Sequence, residues 1–430
     1  MSSKRSRPFY GWLIVLLSAV GLILGAPLVV FSFSVFFKPM VVDFHASRGA
    51  VSFAFSLFNF VGALSIPCVG VVIDRFGAKR VILVSTLLYG LVLCTALWLG
   101  DSLWQLYFFF MVLGVVMASG PAPVPYGVVI SHWFNRYRGL ALGLSMMGIG
   151  IGSVVVPILS QHLIAIFGWR RAFAIFGGAV LLVPLPVIAA WLQNDPEQRG
   201  LRPDGDEQIP LSRLALPDKQ GLSWREIWRS PTFWVLIFIF SLAGASVHGM
   251  VLHLAAIFTD RGVSVARAAT ATSIVGAAVI AGRLGSGYLL DRLFAPRVAI
   301  LFYSATALGI AILCTGAQGN LALVASFLAG LGMGAEVESM GYMISRYFGL
   351  VAFGTAYGVA FGAFMISGSA GVFLMGVGYD RFHSYTVPLA SLCVAMVLAL
   401  ILLTRLGRYR YGVEAESHQA IEPAQIASGA

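Results

Sequence analysis

Charge is the first thing this sequence lacks. Only 11% of its 430 residues are Asp, Glu, Lys or Arg, against roughly a quarter in soluble domains. A water-soluble chain of this length could not cover its surface with so little charge, so the apolar content must face lipid. Cysteine is scarce as well. Cys68, Cys94, Cys314 and Cys393 all lie in apolar runs. None has metal-site spacing, and disulfides are not expected; each reads as a small buried hydrophobe. No G-x-x-x-x-G-K-S/T stretch is present, which argues against ATP-driven chemistry in this chain. No His/Asp/Ser or metal-ligand constellation occurs, so neither an enzyme nor a bound metal or cofactor is expected. The first apolar run is too long for a cleavable signal peptide, lacks a small-residue cleavage site, and is followed by further runs.

What the chain does have is long apolar stretches, with 59% hydrophobic residues overall. Crossing the hydrocarbon core takes about 20 apolar residues in a helix. Such runs fall near 10–37, 51–73, 81–99, 105–131, 139–166, 172–192, 231–259, 268–290, 298–316, 319–345, 351–378 and 385–404. Barrel strands are short and alternate in polarity, so helices are the remaining structure that lipid allows. The expectation is an all-α membrane protein of twelve transmembrane helices.

The net charge of +10 follows the loops. With the N-terminus placed in the cytoplasm, 20 of the 28 Lys and Arg fall on the cytoplasmic side, 7 outside, and Arg283 alone inside a span. Arg138 and Arg346 are counted among the cytoplasmic loop residues. This bias assigns both termini to the cytoplasm of a bacterial inner membrane, and no nucleic-acid partner is needed to explain the charge.

The expected organisation is a six-helix bundle over 1–192, a cytoplasmic linker over 193–230, a second six-helix bundle over 231–410 and a disordered tail over 411–430. The linker mixes charge signs and holds Pro196, Pro203, Pro210 and Pro217. Within it, residues Ser223 to Trp228 read as a short amphipathic helix on the membrane surface. The bundles repeat. Gly70 to Arg80 is echoed by Gly287 to Arg297, with Asp74 and Asp291 standing 217 positions apart. Ile130 to Phe134 is echoed by Ile344 to Phe348, and Gly139 to Gly143 by Gly354 to Gly358. Each pair falls on one side of the membrane, so the repeat is parallel, about an axis along the membrane normal.

The Gly…Asp74-Arg75-Phe76-Gly77-Ala78-Lys79-Arg80 loop after the second span resembles the signature of the major facilitator superfamily. The degenerate copy after the eighth span and Gly168-Trp169-Arg170-Arg171-Ala172-Phe173 before the sixth support the resemblance, which covers nearly the whole chain. Three stretches resemble its monocarboxylate and oxalate/formate branch: Tyr10-Gly11-Trp12, His253-Leu254 with Thr259-Asp260-Arg261-Gly262, and Gly282-Arg283 through Gly287. The resemblance implies a secondary transporter working by alternating access around a cavity between the bundles, as a monomer. An exporter or exchanger of another class (drug, sugar or dicarboxylate) is the alternative.

Arg283 is the leading site residue. A cation inside a span is costly and usually functional, and it lies roughly 12 Å from the cytoplasmic end of its helix at 1.5 Å per residue. Its planar fork fits a carboxylate; the resemblance implies that it binds the substrate's carboxylate, and a structural ion pair is the competing reading. Tyr126, Asn59 and Tyr357 are further candidate substrate contacts. Tyr126 follows Pro121, Pro123 and Pro125, which interrupt the helix ladder. Glu336, Glu338 and His253 are candidates for proton coupling, since burial favours the neutral form of a carboxylate and histidine relays protons. The two glutamates point about 200° apart on a helix, so at most one squarely faces the cavity. Asp74, Arg75, Lys79 and Arg80, with Asp291 and Arg292, are the candidate cytoplasmic gate; plain topogenic charge is the alternative. Oxalate/formate exchangers carry a second cation, a lysine in the eleventh span. Here 351–378 has no Lys or Arg, which favours a monoanion. The expected partners are thus a small organic monocarboxylate and protons.

Overall fold

Twelve helices long and apolar enough to cross a membrane are present among the described residues of the computed structural model, which are 9–205 and 221–411. They match the twelve expected runs one for one. The first span is α1 (Tyr10–Ile23) followed by a π-helical turn (Pro27–Phe31), with α2 (Phe33–Asp43) beyond it; the second is α3 (Arg48–Phe76) and the third α4 (Ala78–Thr95). The fourth is broken into α5 (Leu103–Ser119) and α6 (Pro123–Trp133). The fifth is α7 (Arg138–Phe167), and the sixth is α8 (Trp169–Leu182) with α9 (Pro184–Trp191). After the short α10 (Trp224–Arg229) come α11 (Pro231–Asp260), α12 (Val265–Leu290), α13 (Ala295–Cys314), α14 (Gly319–Phe348), α15 (Phe353–Phe382) and α16 (Thr386–Thr404).

The chain divides into two compact units. One comprises Met1–Gly62 and Val72–Gln220, the other Ala63–Val71 and Gly221–Ala430. The middle of α3 is therefore counted with the second unit, where it packs on α15: a Cβ on Gly358 would lie 2.7 Å from the Ile66 carbonyl. The expected tail beyond Tyr411 and much of the expected linker, 206–220, lie outside the described residues.

Large apolar side chains are exposed in both units, among them Phe108, Leu182, Leu252 and Phe373. In water such a surface would drive association, whereas lipid solvates it. Trp98, Trp104 and Trp191 are exposed near helix ends, as interfacial anchors are. Because lipid is as apolar as leucine, helices associate through close packing rather than hydrophobic expulsion. In the first unit Phe36 stacks on Phe173 at 4.1 Å between ring centroids and Phe33 on Phe55 at 4.2 Å. In both units glycines bring the helices together: Gly148 and Gly152 of α7 lie on α1, and Gly371 of α15 lies on α11.

Helix ends are closed locally. Glu226 accepts hydrogen bonds from the Ser223 backbone N–H (2.8 Å) and hydroxyl (2.6 Å) at the start of α10, and these donors hold its carboxyl below the usual range. Arg138 and Arg346 differ from their expected place in polar loops. Each is only 5% exposed, the first opening α7 and the second in the last turn of α14. Arg138 donates to the Phe134 and Ser131 carbonyls at 2.8 and 3.0 Å, and Arg346 donates to the Tyr342 hydroxyl at 3.2 Å. A guanidinium that satisfies groups at a helix end need not face water.

Candidate functional site

Glycine spacing builds the site of the second unit. Gly330, Gly334 and Glu338 recur at intervals of four and so share one face of α14. That face meets α12. A Cβ on Gly330 would lie 2.6 Å from the Val275 carbonyl, and one on Gly334 would collide with the Val279 carbonyl. On α12, Gly282 sits against the Leu331 carbonyl. Backbones can approach this closely only where side chains are missing. The resulting register sets Glu338 beside Arg283, whose Nη1 donates to Glu338 Oε1 at 3.3 Å. The Glu338 side chain is fully buried and that of Arg283 is 12% exposed.

Two more helices close on this pair. Tyr357 of α15 lies over Gly341, one turn beyond Glu338, where a Cβ would come within 3.4 Å of its ring. Tyr357 is within electrostatic range of both Glu338 and Arg283 and stacks on Phe353 at 5.6 Å. Glu336 belongs to the opposite face. Gly332, one turn before it, packs against Thr306 of α13, and Tyr303 of α13 lies within electrostatic range of both glutamates. The pair thus splits as its 200° separation implies: Glu338 toward α12 and α15, Glu336 toward α13.

The first unit offers broken helices instead of charges. α1 stops at Ile23, before Pro27, and α5 stops at Ser119, ahead of Pro121, Pro123 and Pro125. These breaks meet: a Cβ on Gly25 would collide with the Pro121 carbonyl. The freed Leu24 carbonyl accepts a hydrogen bond from the Tyr89 hydroxyl at 2.8 Å. Tyr126 is fully buried, its hydroxyl against Gly21, and that hydroxyl has no hydrogen-bond partner among the described residues. Asn59 is turned to its own helix and donates to the Phe55 carbonyl at 3.0 Å.

The structure therefore brings together Arg283, Glu338, Glu336 and Tyr357. It holds His253 elsewhere, with Nδ1 3.3 Å from the Tyr385 hydroxyl and Nε2 3.1 Å from the Val372 carbonyl. The gate candidates lie at helix ends. Gly77, at φ +84°, turns the chain between α3 and α4, and the Lys79 N–H donates to Asn194 Oδ1 at 2.6 Å. Asp74, Arg75 and Arg80 are exposed, with Arg75 over the Phe76 ring. Asp291 and Arg292 follow α12, and Arg292 lies over the Tyr288 ring at 3.5 Å.

Sequence reasoning missed Tyr303, Tyr89, Asn194 and Asp204. Asp204 accepts from the backbone N–H groups of Asn135 (2.9 Å), Arg136 (2.7 Å) and Tyr137 (3.3 Å). Each of these residues acts across a long stretch of sequence. Only the Gly-x-x-x-Gly-x-x-x-Glu spacing of α14 was there to be used.

The sequence profile of the Major Facilitator Superfamily matches residues 19–372. The chain belongs to this superfamily. It is a secondary transporter, not an enzyme. It is 26% identical to the MFS-type transporter YhjX of Escherichia coli over 78% of this chain and 81% of that one. To the MFS-type transporter YcxA of Bacillus subtilis it is 25% identical over 91% and 94%. Human monocarboxylate transporter 6 is 29% identical over 41% of this chain and 35% of its own length. Among solved structures, the proton:xylose symporter XylE superposes with a TM-score of 0.75 at 16% identity, covering 93% of this chain and 96% of that one. The E. coli fucose:proton symporter FucP gives 0.67 at 15%, covering 92% and 99%. These two share the fold.

Proposed function

We propose that this transporter moves a small organic monocarboxylate together with a proton, by alternating access, with Arg283 as the anion contact. The observation that carries the reading is the buried Arg283–Glu338 pair. A substrate carboxylate is chemically the same group as the one Arg283 already holds. When Glu338 takes up a proton, its attraction for the guanidinium falls, and a substrate carboxylate replaces it in a bidentate fork. The proton then offsets the charge that the anion brings in, so the loaded site is no more charged than the empty one. Removing one member of a buried pair costs about 3–5 kcal/mol, so substrate and proton are each unfavourable to bind alone and favourable together.

Tyr357, over the same stretch of α14, supplies a hydroxyl donor and an apolar ring for the substrate's carbon chain. One central cation, with none in the eleventh span, favours a monoanion over a dicarboxylate. The name of the human relative, monocarboxylate transporter 6, agrees with this class. The excess of Lys and Arg on one side supports both termini in the cytoplasm, and the Asp74 and Asp291 turns then form the cytoplasmic gate. The test is uptake by purified protein in proteoliposomes, with short monocarboxylates screened under an imposed pH gradient. Acid outside should drive accumulation; uptake indifferent to the gradient would contradict proton coupling.

A further inference from the structure

The second unit buries two carboxyl groups and one guanidinium. Glu336 and Glu338 are each 1% exposed. Glu338 has Arg283 at 3.3 Å, whereas Glu336 has no ion-pair partner within 4.0 Å among the described residues. The ionisable groups around Glu336 are few. α13 brings Tyr303, α12 brings Arg283 at longer range, and Glu338 follows two residues along the same helix. From α15, Tyr357 faces Glu338. On α11, the mid-helix His248 is turned to the Gly244 carbonyl at 3.0 Å and to the Phe364 ring.

With both carboxyls ionised this cluster would carry an uncompensated negative charge away from water, which proteins avoid by protonation. The cation locates the proton: Glu338 Oε1 meets Arg283, and Glu336 has no such partner within 4.0 Å among the described residues. Glu336 Oε1, Glu338 Oε2 and the Tyr303 and Ser339 hydroxyls are all buried without a hydrogen-bond partner among the described residues, whereas buried polar atoms are normally paired. A carboxylate only accepts, but a carboxylic acid also donates.

We infer that Glu336 carries a resident proton throughout the transport cycle, so that Glu338 alone exchanges the coupled proton. This rests on the proton-coupled reading above. It assigns the two neighbouring acids different duties: Glu338 titrates, and Glu336 serves as a neutral hydrogen-bonding group that keeps the cluster's charge balanced.

The test compares Glu336→Gln with wild type in proteoliposomes. The amide mimics the neutral acid and cannot ionise. The variant should keep the wild-type pH profile and the wild-type proton-to-substrate ratio, read from the pH gradient that just balances a substrate gradient. A shifted profile or a lower ratio would overturn the inference. Should Glu336→Gln fail to fold, infrared spectroscopy of the wild-type protein, which keeps both carboxyls and Arg283, gives a second readout. One protonated carboxyl C=O stretch should persist across the pH range of transport while a second comes and goes with Glu338. Loss of the persistent band within the range would equally overturn the inference. A wild-type protein whose uptake ignores the pH gradient would instead sink the proton-coupled reading and leave the infrared result standing by itself.

Discussion

The two halves of this transporter share a scaffold and differ in chemistry. At the ends of their bundles they make the same bonds. Trp133 Nε1 donates to the Gln193 carbonyl at 3.0 Å in one half, and the Tyr347 hydroxyl donates to the Gly407 carbonyl at 2.7 Å in the other. Donor and acceptor are each displaced by 214 positions. Asn194 accepts from the N–H of Lys79, and Tyr409 accepts from the N–H of Ala295 at 2.5 Å. In each half, then, the segment leaving the sixth helix closes the start of the third. In mid-membrane the halves part. The first interrupts three spans, two of which meet at Gly25 and Pro121, and presents the freed Leu24 carbonyl to Tyr89. The second keeps α14 unbroken for 30 residues and sets charges into it. Duplication preserved what holds a bundle shut at its ends and left each half's centre free to diverge.

The largest effect should come from breaking that central difference. Arg283→Ala, and also Arg283→Lys, should reduce uptake to the level of protein-free liposomes, because an ammonium cannot reproduce the fork. Ile66, at the corresponding place in the first half, gives the contrast. Ile66→Val should cost about 0.5–1.5 kcal/mol of stability and leave uptake intact. Uptake that survives Arg283→Ala would remove Arg283 from the site.

The smallest effect should come from the shared scaffold. Tyr409→Phe and Asn194→Ala each remove one acceptor at a helix start, and each should cost about 1 kcal/mol. Thermal unfolding in detergent should show two similar small decreases, with transport retained. If one variant abolished uptake and the other did nothing, the equivalence of the two closures would be wrong.

Much of this was legible in the sequence, for physical reasons. Twelve apolar runs and a parallel repeat follow from what lipid demands of a backbone. Arg283 was visible because a lone cation in a span is conspicuous, and the prolines foretold the break before Tyr126. The partner of Arg283 was not legible. Two glutamates two residues apart reveal that they diverge, but which one meets α12 depends on helix register, and Gly282, Gly330 and Gly334 set that register. Tyr303 was overlooked because a tyrosine in an apolar helix carries no local mark. Asn194 and Asp204 were overlooked because a polar residue in a proline-rich stretch reads as solvated until the structure supplies the N–H groups it accepts from. Arg138 and Arg346 look like loop charges in the sequence for the same reason.

The most direct test of the central claim is substrate exchange by Glu338→Gln protein. The amide cannot ionise, so it should no longer compete as a carboxylate for Arg283 or carry a proton. Exchange of labelled monocarboxylate across the membrane should continue and lose its dependence on pH, while accumulation driven by a pH gradient disappears. Gradient-driven accumulation that persists in Glu338→Gln would contradict the account.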